Sequence, residues 1–147
     1  MRKIFAFIVI ALLLAGCKKE EVMPSAPEIA FVGMSAQSVQ EFEERVTVRF
    51  SYKDGDGDLG QEDPDNYTLW VKDARLGGTD GYHIPPLAPE DAEVPIQGEL
   101  EVELNALFLL GNSGEEETHY TMYVVDRAGN RSNELTTGMI TITTDSL

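Results

Sequence analysis

Along most of this chain, hydrophobic residues recur at every second position. Between residues 45 and 52, Val46, Val48, Phe50 and Tyr52 alternate with Arg45, Thr47, Arg49 and Ser51. Between 99 and 104, Leu100, Val102 and Leu104 alternate with Glu99, Glu101 and Glu103. Successive side chains of a strand point to opposite faces, so each stretch predicts a strand with one packed face and one wet face. Shorter stretches of the same kind cover residues 29–32, 67–72, 94–97, 119–125 and 139–143. Beyond residue 17 no helical repeat persists past two turns. Clusters of Gly, Pro, Asn and Asp separate the strands, and this many half-buried strands need a second sheet to cover them. The pattern predicts an all-β sandwich of about seven strands over residues 28–147. Trp70 shares its strand face with Thr68 and Lys72, opposite Leu69 and Val71, which sets it apart from the core. Residues 77–89 form the longest irregular stretch, either a crossing between sheets or a recognition loop. Glu115, Glu116 and Glu117 read as a solvated loop.

The amino terminus follows a different pattern. Arg2 and Lys3 precede an unbroken apolar run over residues 4–15. That run suits the core of a secretory signal peptide and falls short of the ~20 residues a membrane-spanning helix needs. It ends in Leu14-Ala15-Gly16-Cys17, and Cys17 is the only cysteine. A lone thiol in an exported chain has no partner for an internal disulfide. The tetrapeptide resembles the lipobox of bacterial lipoproteins, in which the thiol receives a diacylglycerol and the new amino terminus is acylated. That resemblance implies a signal peptide over 1–16, a lipidated Cys17 heading a flexible tether over 17–27, and a single domain over 28–147. Acyl chains contribute roughly 0.8 kcal/mol per buried methylene, so two or more anchor a protein stably without a spanning helix.

Charge narrows the partners. The chain carries 26 acidic and 11 basic residues, a net charge of −15. Removing the leader takes away Arg2 and Lys3, so the mature chain is near −17. Such a field repels nucleic acid and favours cations. Lys18 and Lys19, followed by Glu20 and Glu21, resemble the lysine-and-acid signal of surface-exposed Bacteroidetes lipoproteins. A lipoprotein retained at the inner membrane would carry Asp in place of Lys18. The expected location is therefore the outer membrane, at the cell surface. Besides the membrane itself, the expected partners are envelope proteins or glycans.

Residues 118–143 (THYTMYVVDRAGNRSNELTTGMITIT) resemble the last two strands of fibronectin type III and related immunoglobulin-like domains. The resemblance implies that Tyr120 matches the tyrosine closing the preceding corner, with Met122 and Val124 on its face. It also implies that residues 126–133 form the loop between those strands, and that Ile140 and Ile142 point inward.

One motif carries candidate chemistry: Asp54-Gly55-Asp56-Gly57-Asp58-Leu59-Gly60. Aspartates at alternate positions, separated by glycines free to take positive φ, let a tight loop turn several carboxylates onto one point. Like charges so crowded raise one another's pKa unless a cation joins them. Hard oxygens in a flexible loop suit Ca²⁺ better than Mg²⁺. Zinc is disfavoured, because His83 and His119 have no ligand spacing. The loop resembles the first half of an EF-hand but has Leu59 where that motif has glycine and Asp65 where it prefers glutamate. Sandwich topology brings the loop after residue 52 and the loop 126–133 to one end. The expected metal ligands are therefore Asp54, Asp56, Asp58, Asp126 and Asn130. An acidic, solvated hairpin turn is the competing reading of the same residues.

Neither histidine lies beside a nucleophile motif, and the phosphate-binding glycine motifs are missing, so the chain is not expected to be an enzyme. The two loops together resemble Bacteroidetes lipoproteins with one immunoglobulin-like domain. The resulting expectation is a lipid-anchored, calcium-stabilised binding or accessory module. A structural spacer or subunit of an envelope assembly without its own ligand is the alternative, and a small hydrolase is a third reading.

Overall fold

The computed structural model describes residues 22–89 and 91–144, and none of these is helical. The strands in chain order are β1 (Glu28–Met34), β2 (Ser38–Gln40), β3 (Thr47–Asp54), β4 (Leu69–Asp73) and β5 (Asp80–Tyr82), then β6 (Ile96–Glu103), β7 (Glu115–Thr118), β8 (Tyr120–Val124), β9 (Leu135–Thr136) and β10 (Ile140–Thr143). They form three sheets, ordered β1-β3-β6, β5-β4-β8-β9 and β2-β10-β7. The last two are stitched together. Only His119 separates β7 from β8, and only residues 137–139 separate β9 from β10; β8 pairs with β9 while β7 pairs with β10. At the junction, the Thr137 amide donates to the Tyr120 carbonyl at 2.9 Å and the Tyr120 amide to Thr137 Oγ1 at 2.9 Å.

The core lies between this joined layer and the β1-β3-β6 sheet. Val48, Phe50 and Val102 meet Leu69, Val71, Met122, Val124, Ile140 and Ile142 in one cluster, none more than 8% exposed. The period-two alternation of the sequence is what aims these side chains inward. Trp70 points outward, between the buried Leu69 and Val71.

Several elements differ from the sequence expectation. There are ten short strands, not about seven: two strand paths break as they pass between sheets, adding β7 and β9, and β2 and β5 are added beside β10 and β4. The separate stretches 94–97 and 99–104 merge into β6 through Gly98, where a Cβ would stand 2.9 Å from the Tyr52 hydroxyl. The irregular stretch 77–89 contains β5, which pairs with β4. Glu115–Thr118 is a strand rather than a solvated loop: its backbone pairs with β10, the Glu115 and Glu117 side chains are exposed, and Glu116 is half-buried. Tyr120 is buried, but among the described residues its hydroxyl ties back no corner; burial and the charge of Asp73 push its pKa up.

Register fixes the two ends of the domain. Glu28 opposes Lys53 and Ile96 opposes Asp54, so β1 and β6 begin where β3 ends. Residues 23–27 reach the domain at this end, and the Gly55 amide donates to the Pro24 carbonyl at 3.0 Å. Cys17 and residues 18–21 lie outside the described residues.

The opposite end is held by a compact ion cluster. Arg75 donates to Asp73 through Nε (3.2 Å) and Nη2 (2.8 Å), and through Nη1 to Glu116 Oε2 (2.8 Å) and the Phe108 carbonyl (2.9 Å). Thr118 Oγ1 donates to Asp73 as well. Glu116 also accepts from the Leu110 and Gly111 amides. Burial alone would raise the Asp73 carboxyl, but the bonds from Arg75 and Thr118 and the guanidinium charge hold it below its ordinary 3.8. A depressed folded pKa gives stability that is complete above about pH 4 and lost as pH falls through the folded value. Asp73→Asn should therefore cost about 1.5–3 kcal/mol at neutral pH, because Arg75 loses one of its two carboxylate partners and keeps Glu116. It should also flatten the acid limb of the stability curve; urea unfolding between pH 2.5 and 7 measures both.

Candidate metal centre

The site begins with the alternation of β3. Val48 and Phe50 point inward, and the same parity delivers Asp54 to the end of the core, where it is fully buried. The chain then turns sharply. Gly57 and Gly60 take φ of +74° and +95°, in the left-handed region that glycine adopts without strain. Gly55 answers a different need, because a Cβ there would stand 2.4 Å from the Met23 carbonyl oxygen. Leu59, fully buried, plugs the core beneath the turn, and its amide donates to Asp54 Oδ2 at 2.9 Å. This explains the departure from the EF-hand at the sixth position: the residue there anchors the loop to a sandwich core.

The turn brings Asp54, Asp56 and Asp58 together, one carboxylate oxygen of each lying within 4.8 Å of the others. Oδ1 of all three is buried and has no hydrogen-bond partner. Buried polar atoms are nearly always satisfied, and an unpaired carboxylate oxygen is costly. The electrostatics register the crowding. Burial, the close Asp56 carboxylate and the charges of Asp56 and Asp58 raise Asp54 to about 6, against the lowering effect of the Leu59 amide. Burial and then the charge of Asp126 raise Asp58.

The second loop lies directly against the first. Arg127 donates its amide to the Asp58 carbonyl at 3.2 Å and Nη1 to the Gly60 carbonyl at 3.0 Å. The Ala128 amide donates to Asp58 Oδ2 at 2.9 Å. Asp126 and Asn130, however, spend their polar groups on each other. The Asn130 amide donates to Asp126 Oδ1 at 2.7 Å, and Asn130 Nδ2 to Asp126 Oδ2 at 2.9 Å. The three clustered aspartates thus stand apart from the other two residues singled out in the sequence. Asp126 and Asn130 close the turn that presents Ala128 to Asp58.

Three convergent anionic oxygens could hold a hard cation. Oxygens bound to one Ca²⁺ at 2.3–2.6 Å stand no more than about 4.6–5.2 Å apart, so three oxygens within 4.8 Å of one another are close enough to share an ion. Three carboxylates supply fewer than the six to eight oxygens Ca²⁺ takes, leaving backbone carbonyls and water to complete the shell. Sequence reasoning missed the Met23 and Pro24 carbonyls packed on Gly55, for which the glycine was the only signal. His83 is engaged structurally, with Nε2 at 2.6 Å from the Gln61 carbonyl.

Residues 1–17 match the prokaryotic membrane lipoprotein lipid attachment site, a match that ends on Cys17. The protein is a lipid-anchored membrane lipoprotein with an all-β body. Among the described residues no helix is long and apolar enough to cross a membrane. No curated protein and no solved structure matches the chain.

The raised carboxyl gives a pH dependence opposite in sign to that of Asp73. With chelator present, the folded pKa of Asp54, about 6, lies above its ordinary 3.8, so the fold takes up the proton more readily than the unfolded chain. That contribution is greatest below pH 4 and lost as pH rises through 6. Wild type in chelator should melt several degrees lower at pH 7 than at pH 4.5, and Asp54→Asn should abolish most of the difference; calorimetry at the two pH values measures it.

Proposed function

We propose that this lipoprotein is an outer-membrane, surface-displayed binding or accessory module, with an immunoglobulin-like sandwich stiffened by Ca²⁺ and no catalytic role. The observation that carries the metal reading is the set of three buried, unpaired carboxylate oxygens within 4.8 Å. Asp54, Asp56 and Asp58 bind the ion directly. Asp126 and Asn130 act one step removed, by shaping the loop that holds Asp58.

The topology supports the immunoglobulin-like reading. A β1-β3-β6 sheet faces a layer built from β10, β8, β4 and β5, the arrangement of strands A, B, E against G, F, C and C′. β2 running parallel to β10 fits an A′ strand alongside G. The outer-membrane and surface assignments rest on Lys18, Lys19, Glu20 and Glu21. A non-catalytic role fits histidines that lie in a loop and at a strand junction without a nucleophile motif.

Extracellular calcium modules bind at roughly 0.1–1 mM. At the tight end, about 1 mM Ca²⁺ stabilises the fold by ~1.4 kcal/mol, a melting shift of roughly 3–6 °C. Melting with calcium and with chelator should show this shift in wild type and none in Asp56→Asn. Asp126→Asn should retain a smaller shift, since it weakens the support of Asp58 and not the shell itself. A wild type indifferent to calcium refutes the metal. A loss in Asp126→Asn as complete as in Asp56→Asn returns Asp126 to the shell.

Anchoring has its own test. Cys17→Ser should move the protein from the membrane fraction to the soluble fraction, with no acyl mass on its amino terminus. Added protease should degrade the wild-type domain on intact cells.

A further inference from the structure

The outer face of β4 carries a feature that neither the core nor the metal loops account for. Trp70 is directed to solvent opposite Tyr123 across the β4–β8 pairing. Tyr67 stands edge-on to it at 6.3 Å and 88°, while Arg131 lies 3.7 Å over the Tyr123 ring. Tyr67 is 51% exposed, yet its ring is positioned: it lies on Gly81, where a Cβ would come within 2.4 Å of it. Beside these rings runs an open groove of about 450 Å³, lined by Gln61, Asp65, Asn66, Tyr67, Trp70 and Asp126.

The polar side of the groove is also preset. The Gln61 amide donates to the Ile84 carbonyl at 2.9 Å and the Asn66 amide to the Asp63 carbonyl at 3.0 Å; the Asp65 amide donates to Asp63 Oδ1 at 3.0 Å. Backbone bonds thus fix this stretch of loop. Among the described residues, the side-chain amides of Gln61 and Asn66, the Asp65 carboxylate, the Tyr67 hydroxyl and the Trp70 ring N–H have no partner. Flat aromatic faces set beside planar donors and acceptors match a ligand with apolar C–H faces and a rim of hydroxyls. Asp65 and Asp126, in a chain of net charge −15, disfavour an anion. Arg131 does not offset them, because it is taken up by Tyr123 and Glu134.

We propose that this groove binds a neutral carbohydrate chain, with Trp70 and Tyr67 stacking on sugar rings and Gln61, Asp65 and Asn66 hydrogen-bonding their hydroxyls. The proposal rests on the reading of the domain as a binding module, and stands independently of its metal.

Trp70 is the only tryptophan, so its emission reports on this groove directly. The full lipoprotein is titrated, in a detergent without a sugar headgroup, with dextran, xylan, mannan and laminarin, and with alginate and phosphocholine as charged controls. At least one neutral glycan should shift or quench the emission saturably. Tyr67→Ala should weaken that affinity about tenfold and Asn66→Ala severalfold, at unchanged melting temperature. No response to any neutral glycan overturns the proposal, as does a response confined to alginate or phosphocholine, or one that Tyr67→Ala leaves intact. A calcium-dependent melting shift without a glycan response keeps the metal and removes this site.

Discussion

Uncompensated negative charge organises one end of this molecule, and compensated negative charge the other. Asp73 and Asp54 are both buried carboxylates at the far ends of inward-facing strands, yet they titrate in opposite directions. Asp73 meets a guanidinium and a hydroxyl, and its pKa falls. Asp54 is raised first by its burial and then by two further aspartates. Arg127, close to the acidic cluster, gives its guanidinium to a backbone carbonyl. The ion-pair end is complete within the polypeptide; at the aspartate end the three Oδ1 atoms are left without a partner, the role the proposed cation would fill.

Several loops crowd around residues 54–60. Leu59 ties the turn to the core, Ala128 and Arg127 tie it to the loop after β8, and the Leu87 amide donates to the Leu59 carbonyl at 3.2 Å. The backbone of residues 23 and 24 closes over Gly55. Three separate chain segments thus converge on the aspartate turn, and each is held to it by a hydrogen bond from or to the backbone. What those bonds leave unsatisfied is the set of Oδ1 atoms, which share one small space.

Much of this could be read before the structure. Alternation located β3 and the second half of β6 and assigned Trp70 outward, because side-chain parity is a local property, while the inward direction of Ile140 and Ile142 was implied by the immunoglobulin-like resemblance. The three aspartates were legible for the same reason: ligands two residues apart in one turn need no knowledge of the rest of the chain. The strands β2, β5, β7 and β9 were not legible. They are two to four residues long, and β7 is almost entirely acidic, so their existence depends on the backbone of a distant neighbour and not on their own side chains. The pairing of Asp126 with Asn130 escaped notice because the direction of a side chain within a turn is set by the turn itself. Nothing in the sequence marks Arg75, since only the fold places Glu116, 41 positions away, within its reach.

The arrangement of β1 has a mechanical consequence. The tether joins the domain at Glu28, and β1 then runs away from that end, paired with β3 over six residue pairs from Glu28↔Lys53 to Met34↔Val48, with one register shift between Phe31 and Gly33. Asn133 clasps both backbone groups of Ile29, accepting from its amide at 2.9 Å and donating to its carbonyl at 2.8 Å. When a load holds the far end of the domain while the lipid holds the membrane, the pull runs along β1. Its ladder is then strained in shear, with the bonds sharing the force, rather than unzipped one rung at a time. A domain hung from its membrane by this strand is loaded along its ladder and not across it.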